Sequence, residues 1–313
     1  MASEIINGGV PLAEMSDSGQ QCVTSRPGGY VAGHGVADLR DAPALLRAPR
    51  NRAAEHRRVA VLARALEAEV IPRLLLARHA ITEPTHGAAA PAPSLADITT
   101  LAAIAMQGDF AGAAAFLAEL RARNLPLERI YLEVLAPVAR HLGDLWAADR
   151  CDFTSVTIGL CCLQQLVLEN SPAFGPRPGR RGADRRVLLA PTPGEQHSFG
   201  LVVVGEFFRR QGWDVHSATG APAREILAML RKQWFSMVGF SLACDSRIEP
   251  LAALIREIRR NSRNPQIGVL VGGKAFLDRP ELTALVGADA TASDGQQAVL
   301  KAETLLALLV QEE

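Results

Sequence analysis

Pro191-Thr192-Pro193-Gly194-Glu195-Gln196-His197-Ser198-Phe199-Gly200, PTPGEQHSFG, is the stretch whose reading decides the fold. The apolar run Val187-Leu188-Leu189-Ala190 leads into it, and an amphipathic helical pattern beginning at Ser198 leads out. A buried strand that stops at a Pro/Gly loop and resumes as a helix opens a parallel α/β sheet, and such sheets bind ligands beyond the carboxyl ends of their strands. Here the loop carries a histidine to that position. Neutral imidazole is the commonest side-chain metal ligand, and a hydrogen bond at one ring nitrogen fixes which nitrogen is left for the metal. Glu195, two positions earlier, is placed to supply that bond. Gly200, lacking a Cβ, gives a bulky flat ligand close access to the first helical turn.

Working outward, strand patterns fall at Val187–Ala190, Asp214–Ser217, Met237–Ser241, Ile267–Val271 and Ala290–Ala292. They alternate with helical patterns at Ser198–Gln211, Ala223–Lys232, Ser246–Arg260, Pro280–Val286 and Gln296–Leu309. Repeated βα units with right-handed crossovers predict an α/β domain over 186–313, a flavodoxin-like five-stranded parallel sheet of order 2-1-3-4-5. Ser241 then ends the third strand and Gly272-Gly273 the fourth. With the histidine loop after the first strand, these features fall along one edge and read as a single cleft. His216, closing the second strand, reads as an ordinary strand-end residue.

Upstream, Leu95–Ala105, Phe110–Arg123, Leu127–Trp146 and Phe153–Asn170 are helical in pattern and joined by short connections. Short connections imply antiparallel neighbours, hence a four-helix bundle over residues 94–172. Pro137 lies inside the third pattern and should bend it. The Pro/Gly-rich basic stretch Ala173 to Arg186 reads as the hinge between bundle and sheet.

The constellation Glu195-x-His197-x-x-Gly200, Ser241-Leu242-Ala243 and Gly272-Gly273 resembles the cobalamin-binding Rossmann-like domain. The pattern there is D-x-H-x-x-G, a later S-x-L and a Gly-Gly pair. The resemblance implies cobalamin as the cofactor, with His197 as lower axial ligand to cobalt in place of the nucleotide base. It gives Glu195 the role of orienting His197 and Ser241 that of bonding the buried benzimidazole tail. Gly200, Gly272 and Gly273 would line the cofactor's path. Two positions depart from the pattern: Glu195 stands for Asp and lengthens the orienting arm, and Ala243 stands for Leu. Such domains commonly follow a helical bundle that caps the upper corrin face, with a Trp late in its third helix, here Trp146; an indole suits that shielding. Light-sensing adenosylcobalamin repressors carry a His just after this Trp and a Glu-His pair further on. Ala147, Val156 and Thr157 occupy those places, so the upper face lacks that family's polar groups. His141 lies about 140° around the helix from Trp146 and points elsewhere.

Composition sets outer bounds. The chain has 313 residues, 48% of them hydrophobic, and zero formal charge, which suits two domains plus a tail and argues against a dedicated nucleic-acid surface. No apolar run approaches the roughly 20 residues of a membrane span, and the N-terminus lacks a signal-peptide apolar core. Cys22, Cys151, Cys161, Cys162 and Cys244 are odd in number and without zinc spacing, as expected of a reduced, cytoplasmic protein. Residues 1–54, rich in Gly, Pro, Ser, Ala and Arg, read as a disordered tail. Residues 55–80 read as an amphipathic helix with a basic polar face, interrupted at Pro72, and Thr85 to Ser94 as a linker.

The whole layout is tail, amphipathic helix, helical cap and cobalamin-type domain, with no catalytic module. It most resembles the AerR/PpaA group of regulators, on segments such as Glu67 to Ala77 (EAEVIPRLLLA) and Gly194 to His197 (GEQH). That resemblance implies a non-enzymatic antirepressor holding hydroxocobalamin or adenosylcobalamin. Its partner would be a photosystem-gene repressor of the PpsR/CrtJ type, with DNA touched only indirectly, and its signal light, oxygen or cobalamin supply. Three other readings stay open: a corrinoid methyl carrier serving a methyltransferase, a haem-binding sensor using His197 on iron, and a plain interaction module.

Overall fold

The computed structural model describes residues 92–175 and 185–310; the tail over 1–54, the helix over 55–80 and most of the hinge lie outside the described residues. The bundle opens with α1 (Leu95–Met106) and α2 (Phe110–Ala122). A continuous helical run follows, made of α3 (Leu127–Arg129), a π-helical stretch (Ile130–Leu135) and α4 (Ala136–Ala147), and then α5 (Phe153–Phe174). Local chemistry sets these limits. Ser94 and Asp97 form a reciprocal capping box on α1. Asp109 and Asp152 cap α2 and α5 through the amides of Gly112 and Ser155. Past α2 and α4, Asn124 (φ 61°) and Asp149 (φ 54°) take the left-handed conformation that stops a helix, among the few non-glycine residue types that enter it readily.

At Pro137, where a bend is expected, the helix changes its hydrogen-bond pattern. Pro137 has no N–H to continue an α-helical ladder. The helix instead widens just before it, the Ala136 amide reaching back five residues to the Tyr131 carbonyl. The run therefore continues through the proline rather than breaking. The fourth bundle helix also runs past Asn170, taking in Ser171 to Phe174 and so shortening the hinge.

The sheet domain contains β1 (Arg186–Pro191), α6 (Phe199–Arg210), β2 (Asp214–Ser217), α7 (Ala223–Lys232), β3 (Met237–Ser241), a 3₁₀ turn (Asp245–Arg247), α8 (Ile248–Asn261) and β4 (Gly268–Gly272). It ends with α9 (Lys274–Asp278), α10 (Leu282–Val286), β5 (Ala290–Ala292) and α11 (Gly295–Val310). All strand pairs are parallel, in the order β2-β1-β3-β4-β5. The sequence reading missed α9, one short turn that carries the chain away from the glycine pair. It also placed β4 one residue early, because the apolar run begins at Ile267 while the ladder begins at Gly268. The helix pattern at Ser246–Arg260 is split into the 3₁₀ turn and α8.

Alternation along the strands divides the core. Val187, Leu189, Met237 and Leu270 face the layer of α6 and α11, while Leu188, Ala190, Val238, Phe240, Val269 and Val271 face that of α7 and α8. The first layer does not end at the sheet domain. It is continuous with the bundle core of Leu101, Leu117, Ile130, Leu135, Leu142, Leu163 and Leu166. The joint is aromatic: Tyr131, Phe174 and Phe207 stack in series with ring centroids 4.7 and 5.1 Å apart. Arg210 lies 4.6 Å over the Phe174 ring and pairs with Glu128 at 2.5 Å. Buried Glu206 accepts from Ser171 at 2.6 Å and from Arg209 at 2.7 Å. Among the described residues no helix is long and apolar enough to cross a membrane.

Candidate cobalamin site

Sheet register brings the sequence features together. Pro191, Ser241, Gly272 and Ala292 are successive partners across β1, β3, β4 and β5, so the histidine loop, the serine and the glycine pair leave the sheet on one level. Main-chain bonds fix that edge. Thr192 donates both its amide and its hydroxyl to the Ser241 carbonyl at 2.9 Å, and the Leu242 amide donates to Gly272 at 2.9 Å. Gly273 has φ +96°, and a Cβ there would stand 2.4 Å from the Leu242 carbonyl oxygen. A Cβ on Gly272 would meet the Ala292 carbonyl oxygen at 3.1 Å. The glycine pair is therefore required first for strand ends to approach one another, and the space its missing side chains leave is already taken by main chain. Gly200 differs: a Cβ there would meet nothing within 4 Å, so the first turn of α6 is open to an approaching ligand.

Glu195 and His197 form the polar centre of this edge. The Glu195 side chain is 6% exposed and His197 69%. One carboxylate oxygen, Oε1, lies 2.5 Å from His197 Nδ1 and accepts the amides of Gln196 and His197 at 2.9 and 3.1 Å. The other, Oε2, accepts the Ala243 amide at 3.0 Å. The longer arm of Glu over Asp is what spans the two loops. Burial alone would push this carboxyl up, but the bonds from His197 and Ala243 outweigh it and bring the pKa down to about 2. The same Glu195 bond raises the His197 pKa against the opposing effect of burial. A carboxylate at Nδ1 assigns that nitrogen the proton and leaves the lone pair on Nε2 of a largely exposed ring. A buried acceptor behind one nitrogen and an open second nitrogen is the arrangement of a metal-ligating histidine.

Ser241 completes the edge. Its hydroxyl is buried, yet among the described residues it has no hydrogen-bond partner. A buried polar atom left unpaired is costly and is usually matched by water or ligand. The residues present thus suit a cofactor that bonds a metal to Nε2, lies over Gly200 and hands a polar group to Ser241.

A family model of the B12 binding domain matches residues 185–302, and a second B12 binding domain model matches residues 98–158. The first match spans nearly all of the sheet domain, whose fold is that of a B12 binding domain. Over 56% of this chain and 91% of its own length, an uncharacterized 20.5 kDa protein from the bchF-crtJ intergenic region of Rhodobacter capsulatus is 28% identical. A dimethylamine corrinoid protein of Methanosarcina barkeri is 24% identical over 49% of this chain and 68% of its own. In fold, the B12 domain and its bundle are similar to the Methanosarcina barkeri monomethylamine corrinoid protein, with a TM-score of 0.54 and 15% identity over 69% of this chain and 100% of that one.

Trp146 sits near the end of α4 with its indole 45% exposed, so it is a surface group of the bundle rather than part of its core. Cys161 is exposed and Cys162 buried on α5. His216 bonds Asp214 at 3.2 Å and meets Phe235 edge-on, as suits a strand-end residue. Two clefts lie at the carboxyl end of α6, around Arg121, Glu128, Phe174 and Arg210, about 17 Å along that helix from the His197 loop. At the B12 edge itself, Gly194, Gln196, His197 and Gly200 are exposed. Sequence reasoning missed Thr192 and the Ala243 amide, which tie the loops together; the first lies inside the quoted decapeptide, and the second is a main-chain group with no sequence signature.

Proposed function

We propose that the chain binds cobalamin through His197 and acts as a regulator, an antirepressor engaging a repressor of the PpsR/CrtJ type. The observation that carries the binding is the largely exposed imidazole whose Nδ1 is held by buried Glu195. Cobalamin, when bound, would supply a cobalt centre whose ligand exchange or photolysis could carry the signal. His197 would hold the cobalt, Glu195 would keep the ring proton on Nδ1, and Ser241 would offer its hydroxyl to the nucleotide tail. Trp146 presents a flat indole on the bundle for the upper face. The regulatory half is supported by the Rhodobacter capsulatus relative from the bchF-crtJ region. In this reading the chain carries out no reaction of its own.

A second reading, a corrinoid methyl carrier, is favoured by the dimethylamine corrinoid protein and by the fold of the monomethylamine one. Absorbance spectra of protein reconstituted with hydroxocobalamin or adenosylcobalamin, dark and illuminated, test both. Corrin absorbance retained after desalting and lost in His197→Ala is expected, with illumination changing capture of the purified repressor. Methyl turnover with a corrinoid methyltransferase and no effect of light selects the carrier. A Soret band on haem addition without corrin uptake selects the haem sensor.

A further inference from the structure

A guanidinium packs against the loop that carries Glu195 and His197. Arg247 ends the 3₁₀ turn, and its Nη1 donates to the Pro193 carbonyl at 3.4 Å. It lies against Gly194, where a Cβ would stand 2.3 Å from Nη1 and 2.8 Å from Cζ. With φ +84°, Gly194 serves both the turn and the seat of the arginine. One long hydrogen bond leaves most of the five guanidinium N–H donors unspent. No described carboxylate forms an ion pair with Arg247, and the nearby acids are committed elsewhere. Glu195 is held by His197 and the Ala243 amide, and Asp245 is paired with Arg279. Ser241, whose buried hydroxyl has no partner among the described residues, stands opposite Pro191, two residues from the carbonyl that Arg247 holds.

A cation with unspent donors beside a cofactor edge suits an anionic group of that cofactor. The amide side chains of the corrin are neutral, and the anion of cobalamin's tail is its phosphodiester. Resting on the corrinoid reading above, we propose that Arg247 binds that phosphate, so that the chain selects corrinoids bearing a phosphate over those without one.

The test is equilibrium binding to the full-length protein, by corrin absorbance and calorimetry, of hydroxocobalamin, cobinamide and cobinamide phosphate. Wild type is expected to prefer the two phosphate-bearing corrinoids. Arg247→Gln should weaken those two by roughly 10- to 100-fold, leave cobinamide unchanged, and be partly rescued by Arg247→Lys. Unchanged cobinamide binding also reports that the variant is folded. If all three corrinoids weaken together, Arg247 only holds the loop and the proposal is overturned. It is equally overturned if Arg247→Gln binds all three as wild type does. Failure of wild type to take up any corrinoid overturns the corrinoid reading itself, and this assignment with it.

Discussion

Glu195 gathers four donors from two loops onto one buried carboxylate, and its value to the site lies in that convergence. Removing its charge should loosen the imidazole and lower its basicity as a ligand. Glu195→Gln is expected to weaken hydroxocobalamin binding by roughly 10- to 100-fold in a titration, the range for a lost partner behind a metal-bound histidine. Unchanged affinity would strip Glu195 of its orienting role. Gly273 makes a different demand, through backbone alone. Gly273→Ala forces a left-handed residue and an overlap with the Leu242 carbonyl, and should cost about 2 kcal/mol or more in chemical denaturation. A wild-type midpoint would show that the two strand ends can part freely.

At the scale of elements, the start of α1 combines a capping box with an ion pair, Arg123 donating to both Asp97 oxygens at 3.0 and 3.2 Å. The bonds from Arg123 and Ser94 outweigh the effect of burial and hold the Asp97 carboxyl well below its ordinary 3.8. A depressed folded-state pKa means stability that is fully present above the unfolded value and is lost as pH falls through the folded one. Asp97→Asn should therefore destabilise the bundle by about 1 kcal/mol at pH 7, the usual cost of a lost cap. The gap from wild type should narrow steadily below pH 4 in acid unfolding followed by circular dichroism. A gap independent of pH would assign the effect to shape rather than charge. The π-helical stretch before Pro137 teaches a separate lesson. The proline was visible in sequence as a fault in the helix, but the widened turn ahead of it, through buried Ile130, Tyr131, Val134 and Leu135, was not.

Across the whole molecule, the bundle and the B12 domain share one apolar layer, joined at α6 through Phe174, Phe207 and Arg210. α6 begins just past the His197 loop and ends in that joint, so one rigid element links the cofactor edge to the bundle's base. Phe207→Ala should cost roughly 3 kcal/mol or more. Scanning calorimetry of wild type should give a single transition for bundle and sheet, and the variant should divide it. Two separate wild-type transitions would mean that the shared layer does not couple them.

Periodicity and spacing alone determined the parallel sheet, its strand order and the level at which Glu195, His197, Ser241 and the glycine pair leave it. That was possible because apolar runs and Pro/Gly loops are local signals, and right-handed crossovers leave few topologies. Only the tertiary structure decided the rest. The Glu195 carboxylate reaches a main-chain amide on another loop, the Ser241 hydroxyl is left without a partner among the described residues, and Arg247 settles on Gly194. Each of those facts depends on residues distant in the chain meeting through backbone atoms, which are the same at every position and leave no mark in a sequence.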